Sequence, residues 1–165
     1  MMNAGFTEAL LGLLAIMLVA AAVIDVRTYT ISNGLNAAVA LLAFAYWWSI
    51  GLPLWPDGAI RLAVAGGVFL LLAATFYMGM MGGGDVKLAA AIALWFQPIT
   101  TVKFLVVMSL AGGLLTLIVL ALHKKREKPP IDGETAPTRP EVPYGVAIAA
   151  GALWILAQRF LNQFA

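Results

Sequence analysis

The sequence predicts an all-α protein that crosses a membrane with about six helices. Of its 165 residues, 62% are hydrophobic and 11% are charged, whereas soluble domains carry about 25% charged residues. A water-soluble domain of this size cannot bury so much apolar surface, and the same apolar content excludes a disordered chain. Apolar runs close to the roughly 20 residues needed to cross a bilayer core recur along the chain.

Composition also excludes several kinds of site. The chain has no cysteine, so it offers no disulfide, thiolate nucleophile or cysteine-ligated metal cluster. Its ten basic residues are spread thinly among apolar runs and form no phosphate-tracking face, so nucleic acid is not an expected partner. A lone His123 is a poor metal site, and neither a metal nor a cofactor is predicted.

Each predicted span is an apolar run bounded by charged, glycine or proline residues. The first ends at Asp25, the third begins after Arg61, and the fifth contains no charged residue. The fourth is short and is closed by Gln97-Pro98. It counts as a span because without it the basic run at 123–126 would move to the outer side. In chain order, the runs are residues 9–24, 34–52, 62–81, 88–96, 104–122 and 142–158.

The distribution of Lys and Arg predicts the orientation, because cytoplasmic loops are enriched in these residues. Six spans place seven basic residues on one side and three on the other, namely Arg61, Lys103 and Arg159. The side with seven is predicted to be cytoplasmic, with both termini outside. The polar segment 123–141 is then a flexible cytoplasmic loop in a single membrane domain, 1–165.

The tryptophans fit the same arrangement. Trp47, Trp48, Trp55 and Trp95 fall near the predicted outer ends of spans, as in an interfacial aromatic belt. A cleaved signal peptide in place of the first span is disfavoured, because the segment before it contains Glu8 and no Lys or Arg.

Two aspartates border apolar runs and are the candidates for chemistry. Asp25 ends the first run, and Asp85 follows three glycines at the start of the fourth. Two crossings separate them, so both carboxylates are expected at the cytoplasmic face, where ionisable groups are costly and usually functional. Structural roles remain open: an ion pair between Asp25 and Arg27, and a helix N-cap for Asp85.

Two carboxylates at one depth suit peptide hydrolysis without cysteine or metal. An ionised carboxylate takes a proton from water while a protonated one donates to the carbonyl oxygen. A proton or cation pathway through a small transporter is the alternative use of the same pair.

At these residues the chain resembles the type IV prepilin peptidases. Gly82-Gly83-Gly84-Asp85 matches the Gly-x-Gly-Asp signature of polytopic aspartyl proteases, and residues 25–33 are similar to the family's Asp-x-Arg-x-x-x-Ile-Pro-Asn stretch, with Ser32 in place of proline. Residues 143–151 are similar to its final helix. The chain lacks the family's cysteine-bearing insert and looks like the short form that serves Flp-type, tight-adherence pili.

The resemblance implies a bacterial inner-membrane enzyme with catalytic Asp25 and Asp85. Its substrates would be prepilins and pseudopilins with a basic leader and an apolar helix, approached through membrane lipid. Gly82, Gly83 and Gly84 are expected to form a mobile strip beside the scissile bond. The sequence predicts no oligomeric state.

Two residues and one segment near these aspartates have more than one possible role. Asn33 would hydrogen-bond near Asp25 or cap the second span. Lys87 would tune the aspartates or lie among lipid headgroups. Pro143-Tyr144-Gly145 reads most simply as a helix start.

Overall fold

A computed structural model describes residues 4–124 and 142–162, and within these ranges the chain forms six α-helices without a strand. The all-α class is confirmed for this part of the chain. A short irregular helical turn, Leu54–Gly58, precedes the third helix. The helices are α1 Ala4–Thr28, α2 Asn33–Ser49, α3 Ala59–Tyr77, α4 Gly83–Ala93, α5 Pro98–Lys124 and α6 Tyr144–Leu161. The predicted loop at 123–141 falls almost wholly outside the described residues, and its first two positions belong to α5.

Four segments are long and apolar enough to cross a membrane: Ala4–Thr28, Leu54–Tyr77, Pro98–Leu122 and Tyr144–Leu161. The 17 residues of α2 extend about 25 Å at 1.5 Å per residue. The 11 residues of α4 extend only about 16 Å, which is too short to cross a core of about 30 Å. The run predicted as the fourth span therefore forms a helix, but α4 is too short to cross the membrane by itself.

The short helix α4 lies inside the bundle, in contact with α2, α3 and α6. Its side chains Leu88, Ala89 and Ile92 are fully buried. At its C-terminal end, the indole N–H of Trp47 donates to the Leu94 carbonyl at 2.8 Å, and Arg61 donates to the Trp95 carbonyl at 3.1 Å. Carbonyl groups that a helix end leaves free at membrane depth need such partners.

The four tryptophans of the predicted belt divide into two pairs. Trp48 and Trp55 are exposed, which suits the predicted aromatic belt. Trp47 and Trp95 are buried, and the Trp95 indole donates to the Val39 carbonyl at 3.0 Å. For these two the interfacial prediction is wrong, because their N–H groups are used to join α2 to the end of α4.

The outer surface of the bundle is apolar. Leu70 on α3 and Leu110, Leu114 and Leu117 on α5 are all more than half exposed. A soluble protein would bury such contiguous side chains, whereas acyl chains solvate them readily. The polar contacts lie at the two ends of the helices.

Candidate active site

Asp25 lies in the last turn of α1 and is 2% exposed. The helix closes just beyond it, where Tyr29 adopts a left-handed φ of 50° and its N–H donates to the Asp25 carbonyl at 2.8 Å. The side-chain Oδ2 of Asp25 accepts the backbone N–H of Gly145 at 2.7 Å. The sequence offered Arg27 as a charged partner for Asp25, but the carboxylate instead binds a backbone amide 120 residues away.

Gly145 belongs to the first turn of α6, where helix amides have no partner within the helix. A Cβ at this position would lie 2.8 Å from Asp25 Oδ2 and 2.8 Å from Ile31 Cδ1. Only glycine lets the start of α6 come this close to the carboxylate. The Pro143-Tyr144-Gly145 segment is a helix start, as predicted, and its third residue also binds Asp25.

Asp85 lies in the first turn of α4 and is 7% exposed. The N-cap role left open for Asp85 belongs to Gly82, whose backbone is extended and whose carbonyl accepts the N–H of Val86 at 3.2 Å. Asp85 is the third residue of the helix. Its Oδ2 faces Gly82, where an added Cβ would be 2.9 Å away. Its Oδ1 is buried without a hydrogen-bond partner.

Gly83 and Gly84 pack α4 against its neighbours, whereas Gly82 faces the Asp85 side chain. Gly83 and Gly84 belong to the helix, so the expected mobile strip is wrong for these two residues. A Cβ on Gly84 would lie 2.7 Å from the Ile31 carbonyl oxygen, and one on Gly83 would lie 3.3 Å from the Phe76 ring. The glycines allow close packing of backbone on backbone.

Ile31 connects the two carboxylates. It is buried in the turn between α1 and α2, and it contacts both Gly84 and Gly145. The Asp25 and Asp85 carboxyl groups lie close enough for their charges to act on each other. We call this end of the bundle, which holds Asp25, Ile31, Gly84, Asp85 and Gly145, the dyad end.

Asn33 and Lys87 contact each other at the surface of the dyad end. Lys87 Nζ donates to Asn33 Oδ1 at 2.8 Å. Ser32 caps α2 by accepting the Leu35 N–H at 3.2 Å, so the capping role considered for Asn33 belongs to its neighbour. This pair joins the starts of α2 and α4.

Sequence reasoning missed Asn36. This side chain is 5% exposed, and its Nδ2 donates to the Gly84 carbonyl at 3.0 Å, while its Oδ1 is buried without a partner. An amide inside an otherwise apolar span was the available signal.

In the ranges 4–124 and 142–162, no three His, Cys, Asp or Glu side chains cluster as metal ligands would. The polar groups described above are instead the carboxylates of Asp25 and Asp85, the amides of Asn33 and Asn36, and the ammonium group of Lys87. All of them come from the starts of α2 and α4, except Asp25 from the end of α1.

The comparisons with known proteins give one family. A model described as the type IV leader peptidase family matches residues 12–117, which is more than half of the chain and includes both buried aspartates. No curated protein and no solved structure matches. On the strength of this match, the chain belongs to the type IV leader peptidase family.

Proposed function

We propose that this membrane peptidase is an aspartyl endopeptidase that removes the leader from Flp-like prepilins and pseudopilins at the cytoplasmic face. The observation that supports it best is the juxtaposition of two buried carboxylates, Asp25 from α1 and Asp85 from α4. Family membership favours this peptidase over the small transporter that the same two aspartates would also suit.

In this mechanism the pair shares one proton, because two like charges held close together in a buried site cannot both ionise comfortably. The ionised carboxylate takes a proton from water as the water oxygen attacks the scissile carbonyl carbon. The protonated carboxyl donates to the carbonyl oxygen. When the tetrahedral intermediate collapses, the C–N bond breaks and the leaving amine receives a proton from the pair. Cleavage is therefore expected to show a bell-shaped dependence on pH.

The distribution of Lys and Arg supports a cytoplasmic position for the dyad. Arg27 lies in the last turn of α1, Lys87 bonds Asn33 at the start of α2, and Lys124 ends α5. The positive-inside rule favours the cytoplasm for the end of the bundle that carries these residues. Water then reaches the pair from the cytoplasm, and no channel across the bilayer is needed.

A groove beside the dyad suits the apolar stem of a substrate helix. It has a volume of about 550 Å³ and lies between α3, α5 and α6. Two of its lining residues, Met81 and Tyr144, directly precede Gly82 and Gly145. A helix lying in this groove would contact the residues that precede Gly82 and Gly145, next to the dyad.

The groove is more apolar than its residue types suggest. The hydroxyl of Thr75 donates to the Leu72 carbonyl, and that of Thr116 donates to the Gly112 carbonyl at 2.8 Å. Hydroxyls satisfied by their own helix do not require water. A Cβ on Gly112 would contact Ala147 and Tyr144 of α6, whereas no atom lies within 4 Å of a Cβ on Gly113, so a substrate helix can approach α5 closely at Gly113.

Prepilin cleavage by the purified protein in detergent tests the proposal. Asp25→Asn and Asp85→Asn should each lower the rate by at least about 10²–10⁴-fold, since asparagine can neither accept nor donate the required proton. Asp57→Asn removes an aspartate at the other end of the bundle and should leave cleavage unchanged. Robust cleavage by either dyad variant would exclude the mechanism.

A further inference from the structure

The end of the bundle opposite the dyad contains a cavity of about 600 Å³. Three cationic side chains line it, one each from α3, α5 and α6: Arg61, Lys103 and Arg159. Among the lining residues in the ranges 4–124 and 142–162 none carries a carboxylate, although the charge of Asp57 reaches Arg61. The cavity therefore concentrates positive charge at a point where three helices meet.

Arg61 is the anchor of this site. It is 5% exposed, and one guanidinium nitrogen donates to the Trp95 carbonyl. A guanidinium group has five N–H donors, so one carbonyl leaves most of its capacity unused. A buried cation is costly unless an anion compensates it.

The neighbouring groups add donors and apolar walls. Arg159 donates to the Tyr46 hydroxyl, and the Tyr46 ring lies 5.7 Å below its guanidinium carbon. Gln97 and Thr100 are among the uncharged polar side chains that line the cavity. Leu11 and Ile155 line it as well, which gives one polar and one apolar part.

The charge distribution of the sequence points to the same place. Arg61, Lys103 and Arg159 are the three basic residues that the six-span arrangement assigns to the outer side, where Lys and Arg are disfavoured. Topology gives no reason for them. Their convergence on one cavity from three separate helices explains them as parts of a binding site for an anion.

We infer that this cavity binds a phosphate group, either the phosphodiester of an anionic phospholipid or a free phosphate. Two guanidinium forks and one ammonium group match the oxygens of a phosphate. Bound there, the anion would join α3, α5 and α6. Through Arg61 and the Trp95 carbonyl it would also hold the C-terminal end of α4.

Native mass spectrometry of the full-length, delipidated protein tests the inference. The probes are dioleoylphosphatidylglycerol, its uncharged counterpart dioleoylglycerol, and inorganic phosphate. Phosphatidylglycerol should bind, and Lys103→Gln and Arg159→Gln should each weaken it roughly ten- to hundred-fold through loss of a charge-assisted contact. Arg27→Gln removes one positive charge at the dyad end and should bind like the wild type.

The probes also separate the two sources of phosphate. Competition by millimolar inorganic phosphate would assign the site to the free anion, and its absence would assign it to the lipid. Equal binding of dioleoylglycerol, or wild-type binding by both variants, would overturn the inference. Lys103 is exposed, so Lys103→Gln removes a charge from the cavity without changing a buried side chain. Its effect on binding therefore does not come from a loss of folding, as a change at the buried Arg61 would risk.

Discussion

Replacing Gly145 with alanine tests whether the close approach of α6 to Asp25 sets the catalytic geometry. The new Cβ would lie 2.8 Å from Asp25 Oδ2 and 2.9 Å from Asp25 Cβ. Carbon contacts settle at about 3.5–4.0 Å, so the side chain or the helix must retreat by roughly 0.5–1 Å. That movement stretches the 2.7 Å hydrogen bond from the Gly145 N–H to its limit.

The magnitudes separate catalysis from folding. Overpacking of this kind costs about 1–3 kcal/mol of stability, which a bundle of six helices can tolerate. A misplacement of about 1 Å can lower a catalytic rate on the order of 10²-fold. Gly145→Ala should therefore remain folded and cleave on the order of 100 times more slowly.

The assay measures initial rates of prepilin cleavage and thermal unfolding on the same detergent preparation. Gly66→Ala on α3 is the matched control, because no atom lies within 4 Å of the added Cβ, and alanine is favoured over glycine in a helix by about 0.5–1 kcal/mol. It should cleave at the wild-type rate. If Gly145→Ala also does so while Asp25→Asn is inactive, the geometric reasoning fails.

Two further predictions concern the glycines and the chemistry. Gly84→Ala would put a Cβ 2.7 Å from the backbone oxygen of Ile31, whereas on Gly83 the nearest atom is 3.3 Å away on the Phe76 ring. Backbone cannot yield as a ring can, so Gly84→Ala should lower stability by about 1–3 kcal/mol and Gly83→Ala by clearly less; equal unfolding temperatures would refute this order. Cleavage should persist in EDTA, as expected of a carboxylate pair, and a loss restored by a divalent ion would mean that a metal takes part.

The helices could be predicted because their apolar runs are long and their boundaries are chemically distinct. Asp25 lies within a few residues of the end of α1, and Gly82 directly precedes the start of α4. What hydropathy could not provide is the role of α4. An apolar run between a glycine triplet and Gln97-Pro98 is compatible with a short span, and only packing shows that the helix is surrounded by α2, α3 and α6.

Counting the membrane crossings could place the two aspartates at one end of the bundle. It could not identify the groups that contact them. The Gly145 amide lies 120 residues from Asp25, and Ile31 contacts glycines from two other helices. Such contacts depend on which helices pack against each other, and a span that is apolar on all sides gives no sequence signal for its neighbours. Trp47 and Trp95 show the same limit, since buried tryptophans and interfacial ones look alike in a sequence.

Side chains donate to free backbone carbonyls at both ends of the bundle, and of the three buried acceptors without a donor among the described residues, only Glu8 Oε2 lies away from the dyad end. At the opposite end, the large side chains of Trp47, Arg61 and Trp95 donate to carbonyls and hold α4 in place. At the dyad end, two acceptors among the described residues, Asp85 Oδ1 and Asn36 Oδ1, are buried without a donor. A substrate must leave its helical form to be cut, and its freed N–H groups then need acceptors at membrane depth. Under the proposed mechanism, the acceptors buried beside Gly84 would stabilise the extended peptide, and we therefore expect the substrate to unwind at the dyad end.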